Sequence, residues 1–407
     1  MKKVIDALQK LKTYCEAEDF KGWDPFDGLN SKVLKAVLPL KRSAILRLIV
    51  IQGFKRSPFN LRPLMRVPKQ HNAKGIGLFL QGYCNLYRLV EKRAELANIF
   101  GDKETLEEQI NYLAALLLEM RSTGYHGSCW GYNFDWQSRR LFLFPANCPT
   151  IVATTFCATA LVDAYEVTGN KSYLDTALDS ADFVLKDLHR DEFKSERMIS
   201  YSPLEGNNLV SNASLLGSKL LATIYKYTGR TDCLQAAISS VKACVAGQEE
   251  DGSWTYSFIP PKLWKDSFHT GYNLDGLIGY QEMTGDKSFE ANIERGFDYY
   301  IKTFFNPDGS PMYYNDKQFP IDIHCPGQLL VTLCRMHRLS KHKELAERVV
   351  SWTLNNMWDE KGFFYYQLKE GKSSKIPYMR WSNAFMFCAL SYYMLEQHDC
   401  SKQSLIE

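Results

Sequence analysis

Several acidic, histidine and tyrosine residues of this chain lie close together in short polar segments, where they could take part in proton transfer. Asp275 lies three residues after Tyr272 and six after His269, so about one to two helical turns would bring the three side chains to one face. Asp322 and His324 form a second such segment. Carboxyl, imidazole and phenol groups are the common general acids and bases of enzymes. The predicted catalytic residues are Asp275, His269, Tyr272, Asp135, Asp322 and His324.

Two kinds of chemistry fit these residue types. Glycoside hydrolysis needs two carboxyl groups, one protonated and one ionised, on either side of the scissile bond. The candidates for that pair are Asp135, Glu205, Asp275 and Asp322. A lyase or epimerase acting on a uronic acid would instead use His269 or Tyr272 as the base, with Asn212 or Arg380 neutralising the substrate carboxylate. The sequence does not choose between the two mechanisms.

A carbohydrate ligand would also need aromatic faces for its ring and polar groups for its hydroxyls. The candidate stacking residues are Trp130, Tyr132, Trp136, Trp254, Trp264 and Trp381, and the candidate polar contacts are His71, Glu205, Asn207, Asn212, Gln328, Arg380 and Asn383. The same tryptophans could instead pack the rim of a repeat protein. A sugar-binding or scaffolding protein without a competent acid and base therefore stays open as a third alternative.

A repeated helix ending indicates which elements position these residues. Glycines recur in short polar turns at Gly101, Gly169, Gly229 and Gly285, at intervals of 56 to 68 residues. Each glycine suits the left-handed end of one helix, and another helical pattern follows it at once. A repeat of this length is typical of an array of helical hairpins.

The two helices of each hairpin differ in pattern. Residues 171–186 have apolar side chains on one face only, as an outer helix would, whereas residues 151–165, 210–225 and 329–336 are apolar nearly all round. Short glycine and aromatic segments precede the inner helices, at 127–132, 252–256, 309–314 and 362–366. We predict an all-α fold, an (α/α)6 toroid of six helical hairpins with short strands or extended loops on one rim. It forms one domain over 1–407, with an N-terminal helix and lead-in loop at 1–30.

Three segments of the second half carry a family resemblance: Asp251–Tyr256, Asp266–Tyr272 and Tyr280–Asp286. With the repeat, they resemble the six-hairpin glycosidase superfamily, whose (α/α)6 toroids include glycoside hydrolases, polysaccharide lyase domains and sugar epimerases. The resemblance implies a glycosidase-like enzyme acting on oligosaccharide or polysaccharide precursors, similar to proteins of bacterial cell-surface polysaccharide biosynthesis. A lyase or epimerase, or a glycan-binding toroid, remains an alternative.

The composition of the chain limits the binding partners and the cellular compartment that we expect. A formal charge of +3 gives no whole-protein field for a polyanion, so no nucleic acid is expected. The first fifteen residues form an amphipathic pattern without a signal-peptide core, and the longest apolar run is too short to span a bilayer. We expect a cytoplasmic protein without a membrane span. Its eleven scattered cysteines should be reduced, and we expect no metal and no cofactor. The oligomeric state is not predicted.

Overall fold

The computed structural model describes residues 1–37, 39, 43–57, 59–137, 143–260, 263–371 and 373–403. Within these ranges the chain is predominantly helical. The helices are α1 (Lys2–Ala17), α2 (Lys32–Val37), α3 (Ala44–Arg56), α4 (Ala73–Lys92), α5 (Ala97–Phe100), α6 (Lys103–Glu119), α7 (Ile151–Thr168), α8 (Lys171–Asp182), α9 (Ser211–Thr228), α10 (Thr231–Ala246), α11 (Ser267–Thr284), α12 (Glu290–Phe304), α13 (His324–Arg335), α14 (Lys343–Asn356) and α15 (Phe385–Gln403). Two π-helical segments, Phe183–Asp187 and Met379–Ala384, extend α8 and precede α15.

Six of these helices form a closed inner ring. Each of α4, α7, α9, α11, α13 and α15 packs against the next, and α15 packs back against α4. Their side chains are buried on several sides, as the nearly all-apolar patterns predicted. Closure of this ring confirms the predicted (α/α)6 toroid.

The outer ring consists of α6, α8, α10, α12 and α14, together with α1. Each of the first five packs on the inner helix of its own hairpin, and α1 packs on both α14 and α15. The N-terminal helix is therefore the outer partner of the last inner helix. The last inner helix, α15, is thus covered by α1.

The helix ends that the repeated glycines predicted are present in the structure. Gly169, Gly229 and Gly285 each end an inner helix in the left-handed conformation, with φ of 73°, 71° and 74°. Gly101 differs, because its φ of 102° combines with an extended ψ. An L side chain is disfavoured in that left-handed region, which explains why glycine recurs there.

A second glycine position holds the rim against the outer helices. Gly252 has φ of 90°, and a Cβ atom built on it would lie 2.3 Å from the backbone oxygen of Arg295 in α12. Gly309 and Gly362 meet the backbone oxygens of Arg348 and Lys10 in the same way, at 2.5 Å. The rim segments are therefore fixed by close backbone contact with the neighbouring outer helix.

We expect Gly252→Ala to lower the free energy of unfolding by roughly 2–4 kcal/mol, because it adds both a strained φ and a clash with backbone. Gly285→Ala is the matched control, since its φ is also positive but no atom lies within 4 Å of the added Cβ. It should cost only about 1 kcal/mol. Urea unfolding of both variants measures the difference. Equal losses would show that the contact with α12 contributes nothing.

Short antiparallel strand pairs lie between the helices. The strands are β1 (Trp136–Gln137), β2 (Leu143–Phe144), β3 (Arg190–Phe193), β4 (Glu196–Ile199), β5 (Ile321–Asp322), β6 (Trp358–Asp359), β7 (Phe363–Phe364) and β8 (Gln367–Leu368). They pair as β1 with β2, β3 with β4, β5 with β8 and β6 with β7. Isolated bridges such as Gly131 to Pro149 and Asp266 to Tyr314 continue the same rim.

Residues between α1 and α4 form a small subdomain on this rim, which we call the α2–α3 subdomain (described residues within 27–69). Val50, Ile51 and Phe54 of α3 form a second, separate core with Leu29 and Val67. Trp136 and Leu143 of the first strand pair pack against that core. The subdomain is thereby joined to the toroid beside its first rim segment.

One helix of the described residues, α7, is long and apolar enough to cross a membrane by length and composition. This is weak evidence for a span, because 61% of that helix is buried inside the protein and it belongs to the inner ring. Ten cysteines are buried, and none of these ten forms a disulfide. The side chain of Cys400 lies outside the described residues.

Candidate active site

The N-terminal ends of all six inner helices surround one cavity of about 260 Å³. Lys74, Val152, Asn212 and Phe268 are each the second residue of an inner helix, and His324 is the first residue of α13. Arg380 and Trp381 come from the π-helical segment before α15. The described lining residues are Phe26, Lys55, Lys74, Tyr132, Phe134, Trp136, Val152, Tyr201, Asn212, Tyr256, Trp264, Phe268, His269, Tyr272, Tyr313, Tyr314, His324, Arg380 and Trp381.

Aromatic rings form most of the cavity wall. Tyr256 stacks on Trp264 with 4.6 Å between ring centroids, and Tyr132 stacks on Phe134 at 5.7 Å. Trp136, Trp264 and Trp381 are partly exposed, although Trp136 stacks one face on Phe144 and Trp264 stacks one face on Tyr256. Aromatic faces of this kind suit the apolar side of a sugar ring.

His269 is oriented by a buried carboxylate. Its Nδ1 lies 2.7 Å from Asp266 Oδ2, which also accepts a hydrogen bond from Trp264 Nε1 at 3.0 Å. Asp266 Oδ1 accepts the backbone N–H of His269 and so caps α11. Because a carboxylate only accepts, we assign the proton to Nδ1, which leaves Nε2 as an acceptor. His269 can therefore serve as a base.

His324 also lies beside an aspartate, and its side chain is more deeply buried than that of His269. Its Nδ1 is 3.5 Å from Asp322 Oδ1, and both side chains are buried. Burial lowers the pKa of the His324 imidazole to about 4, against the raising effect of Asp322. The pKa of Asp322 is lowered because hydrogen bonds, first from His324 and also from Trp381, outweigh its burial. His324 is therefore a neutral imidazole at neutral pH.

Two cationic side chains complete the polar part of the cavity. Lys74 Nζ donates to the Tyr272 hydroxyl at 3.1 Å and lies 4.2 Å from the ring centroid of Phe156. Burial, and then the charge of Arg380, hold the pKa of Lys74 well below its usual value. Arg380 Nε donates to Asp24 Oδ2 at 2.6 Å, and its guanidinium lies 4.9 Å from the ring of Tyr132. The Arg380 charge is thus paired with Asp24, and burial disfavours the protonated form of Lys74.

The structure brings nine of the predicted residues to the cavity: Tyr132, Trp136, Asn212, Trp264, His269, Tyr272, His324, Arg380 and Trp381. The predicted grouping of His269 with Tyr272 is thus present in space. Asp275, the third member of that group, is not at the cavity.

Asp275 lies deeper along the toroid axis, in a buried ion-pair cluster. Its Oδ2 accepts from Lys219 Nζ at 2.9 Å, and its Oδ1 lies 2.9 Å from Arg335 Nε, without hydrogen-bond alignment. Burial raises its pKa, but Lys219 and then Arg335 outweigh burial, so the net pKa is lowered. Gln328 lines the same inner layer and donates to Thr332. An ionised carboxyl group held between two cations is a poor proton donor.

The other predicted acids also have structural partners. Asp135 Oδ1 accepts the backbone N–H of Ala146 at 2.7 Å, and the side chain of Glu205 is 92% exposed beside His189. Asp322 Oδ2 accepts from Gln367 at 2.6 Å, so it supports His324 from behind the cavity wall. None of these acids lines the cavity. The carboxyl pair expected for hydrolysis is therefore not assembled there among the described residues.

Five further predicted ligand contacts lie in the framework. Trp130 and Trp254 are buried, and their Nε1 atoms donate to the backbone oxygens of Leu117 and Cys244. A sugar in the cavity cannot reach either indole. The amides of Asn207 and Asn383 and the imidazole of His71 bond to backbone groups outside the cavity.

Sequence reasoning missed Lys74, Tyr201, Tyr256, Phe268, Tyr313 and Tyr314 in the cavity wall. A usable signal existed, because the second residue of four inner helices lines the cavity. The predicted polar contact nearest to α4 is His71, which lies before the N-cap Asn72, so the prediction stopped short of Lys74. Tyr256, Tyr313 and Tyr314 lie in the glycine and aromatic segments 252–256 and 309–314, so a local signal existed for them as well.

Similarity to known proteins is found in the three-dimensional structure and not in the sequence. No family model matches this chain, and no curated protein matches its sequence. A cellobiose 2-epimerase from Bacillus thermoamylovorans is similar, with a TM-score of 0.61, 14% identity, and coverage of 82% of this chain and 90% of that chain. The chain has the six-hairpin toroid fold. An unsaturated glucuronyl hydrolase specific for heparin matches with a TM-score of 0.61 and 14% identity, over 98% and 97% of the two chains.

A third similar structure is a family 76 glycoside hydrolase (mannosidase) from Bacteroides thetaiotaomicron, with a TM-score of 0.60 and 11% identity over 98% of this chain and all of that one. An epimerase and two hydrolases thus share this toroid. These neighbours show the fold, and the reaction has to be argued from the site.

Proposed function

We propose that this protein moves a proton at a sugar carbon next to a carbonyl or carboxylate group, as an epimerase or a lyase does, rather than hydrolysing a glycosidic bond. One observation carries the proposal. Among the described residues that line the cavity there are two histidines, a tyrosine bonded to a lysine, and an arginine, but no aspartate or glutamate. Hydrolysis by the usual route needs two carboxyl groups in contact with the substrate.

His269 is the proposed base. Its Nδ1 is held by Asp266, which leaves Nε2 to take a proton from the substrate. His324, with its pKa of about 4, is a second neutral imidazole next to Phe268, whose ring contacts both histidine rings. The proton that the base takes from the sugar carbon can return from the imidazolium formed on His269 or from solvent, and His324 is a second imidazole able to accept a proton.

The cations supply the complementary part of the chemistry. Removal of a proton next to a carbonyl or carboxylate places negative charge on the substrate oxygen, and preorganised cations stabilise that charge. Lys74 and Arg380 are both held by buried partners, so little reorganisation is needed when the charge develops. Aromatic side chains around them provide the surfaces on which a sugar ring can lie.

The residues of the cavity wall also indicate a class of substrate. A cavity with aromatic walls and with Arg380 and Lys74 in its lining favours a sugar with a carboxylate or an open-chain carbonyl. A location in the cytoplasm and a role in the biosynthesis of cell-surface polysaccharides remain predictions that accompany this proposal. The cellobiose 2-epimerase among the similar structures supports the choice of an isomerising reaction as the first to be tested.

The test is incubation of the protein in D₂O with reducing disaccharides and with uronic-acid oligosaccharides. Deuterium on a sugar carbon, detected by NMR, or an unsaturated product, detected by ultraviolet absorbance, is the expected result. New reducing ends without deuterium or unsaturation would identify a hydrolase. Ligand binding with none of these products would leave a glycan-binding protein.

A further inference from the structure

The charge of this protein is distributed unevenly. Residues 31–69 contain ten of its 49 lysines and arginines and none of its 46 aspartates and glutamates. The rest of the chain therefore has a formal charge of −7, from 39 basic and 46 acidic residues. This basic segment is the α2–α3 subdomain, in which Lys32, Lys35 and Arg56 are exposed. The small net charge of the whole protein therefore conceals a strongly basic segment at residues 31–69.

The same subdomain exposes large apolar side chains. Val37, Ile45, Ile49, Phe59 and Leu64 are between 61% and 76% exposed, and they make up half of the strongly exposed large apolar residues in the described chain. Ile45 and Ile49 are four residues apart on α3, and so lie on one outer face of that helix. Single exposed apolar residues are ordinary on protein surfaces, but five within 28 residues are not.

We propose that the α2–α3 subdomain docks this protein on an anionic membrane surface as a peripheral, non-spanning contact. Basic residues that flank exposed isoleucine, phenylalanine and leucine side chains are the features of interfacial binding to anionic lipids. Charge complementarity selects the occupant, because Lys32, Lys35, Arg56 and Arg66 are exposed and residues 31–69 contain no acid. A second copy of this chain would bring an equally positive surface against it.

The exposed apolar residues favour a membrane over other polyanions as the partner of this surface. A nucleic acid in water would engage the lysines and arginines, but it would leave the exposed isoleucines and phenylalanine in solvent. A bilayer accepts both, since the cations meet the headgroups and the apolar side chains enter the acyl boundary. The ionic attraction acts over about 8 Å at physiological ionic strength and weakens with salt, whereas the apolar contact does not.

Docking would place the cavity beside the membrane. Lys55 of α3 and Phe26 line the cavity, and Trp136 joins the cavity wall to the core of the subdomain. A sugar substrate carried on a lipid would then reach the cavity from that surface. The docking proposal does not depend on which reaction the cavity catalyses, and its test uses no activity measurement.

The experiment is co-sedimentation of the full-length protein with phosphatidylcholine vesicles, with and without phosphatidylglycerol. Wild type should sediment only with the phosphatidylglycerol vesicles. Ile45→Ser with Ile49→Ser, and separately Lys32→Glu with Lys35→Glu, should each lower the partition coefficient at least about tenfold. Lys226→Glu with Lys287→Glu makes the same charge change on exposed residues at the opposite ends of the inner helices, and should leave it unchanged.

Three results would overturn the proposal. The first is no sedimentation with anionic vesicles, and the second is sedimentation that the isoleucine pair does not affect. The third is a wild-type dimer, seen by sizing without lipid, that the isoleucine substitutions dissociate, because the surface would then bind a second copy. Thermal unfolding of every variant checks that these exposed substitutions leave the fold intact.

Discussion

The His269→Ala variant is expected to lose about 10²- to 10⁴-fold in kcat, with a smaller change in KM. The imidazole is the group in the cavity that combines a fixed tautomer with an acceptor nitrogen, because Asp266 holds Nδ1 at 2.7 Å. Alanine removes the base and leaves the aromatic walls that bind the sugar. The measurement is the initial rate of deuterium incorporation or of unsaturated product in wild type and variant.

His71→Ala is the matched control for this loss. His71 lies just before the inner helix α4, but its Nε2 contacts the backbone oxygen of Asp19 at 2.7 Å, and the residue does not line the cavity. Its rate should stay within about threefold of wild type, since no base is removed. If His269→Ala retained the wild-type rate while keeping its melting temperature, the assignment of His269 as base would be wrong.

Asp266→Asn would separate positioning from catalysis. Asparagine can still cap α11 through its side-chain oxygen, so the helix should form, but its amide no longer selects the Nδ1 proton on His269. Asp266 is a positioning residue, because it acts on the reaction only through the imidazole. The rate of the Asn variant should fall less than that of His269→Ala, and its pH profile should shift.

The toroid could be predicted from the sequence because its repeat is local. Gly169, Gly229 and Gly285 each have a conformation that favours glycine, and the apolar pattern around each one distinguishes an inner from an outer helix. Such signals need only neighbouring residues. The second core formed by α3 with Leu29 and Val67 was not predicted, because its members are separated by irregular chain.

The candidate site could be predicted only in part. His269, Tyr272, His324, Arg380 and Trp381 were found because polar residues at the start of an inner helix stand out in an apolar repeat. The structure places the predicted carboxyl groups outside the cavity, because they bond to partners that are distant in the sequence. Asp275, for example, meets Lys219 and Arg335, each more than 50 residues away. No local pattern of the sequence could have shown that pairing.

Asp275→Asn is expected to lower the free energy of unfolding by about 3–5 kcal/mol at neutral pH. The substitution leaves Lys219 and Arg335 facing each other in the interior with no carboxylate between them. Removing one partner of a buried ion pair is costly because the remaining charge has lost both water and its counterion. Urea unfolding of wild type and variant at pH 7 measures the loss. Asp175→Asn, on the exposed face of α8, should change stability by less than about 0.5 kcal/mol.

The pH dependence of this loss has a definite sign. The pKa of Asp275 is lowered in the folded protein, because Lys219 and Arg335 together outweigh the effect of burial. Its contribution to stability is therefore fully present above the pKa of the unfolded chain, about 3.9, and disappears as pH falls through the folded value. The difference between wild type and Asp275→Asn should be constant from pH 7 to about pH 5 and shrink below about pH 4.

A second substitution tests whether the loss comes from unpaired charge. Lys219→Met, added to Asp275→Asn, removes one of the two cations and keeps a side chain of similar length, so part of the lost stability should return. A reaction rate measured on the same proteins then decides the role of Asp275. If the single variant were as stable as wild type but had lost its activity, Asp275 would be a catalytic acid after all, and the ion-pair cluster would be part of the active site.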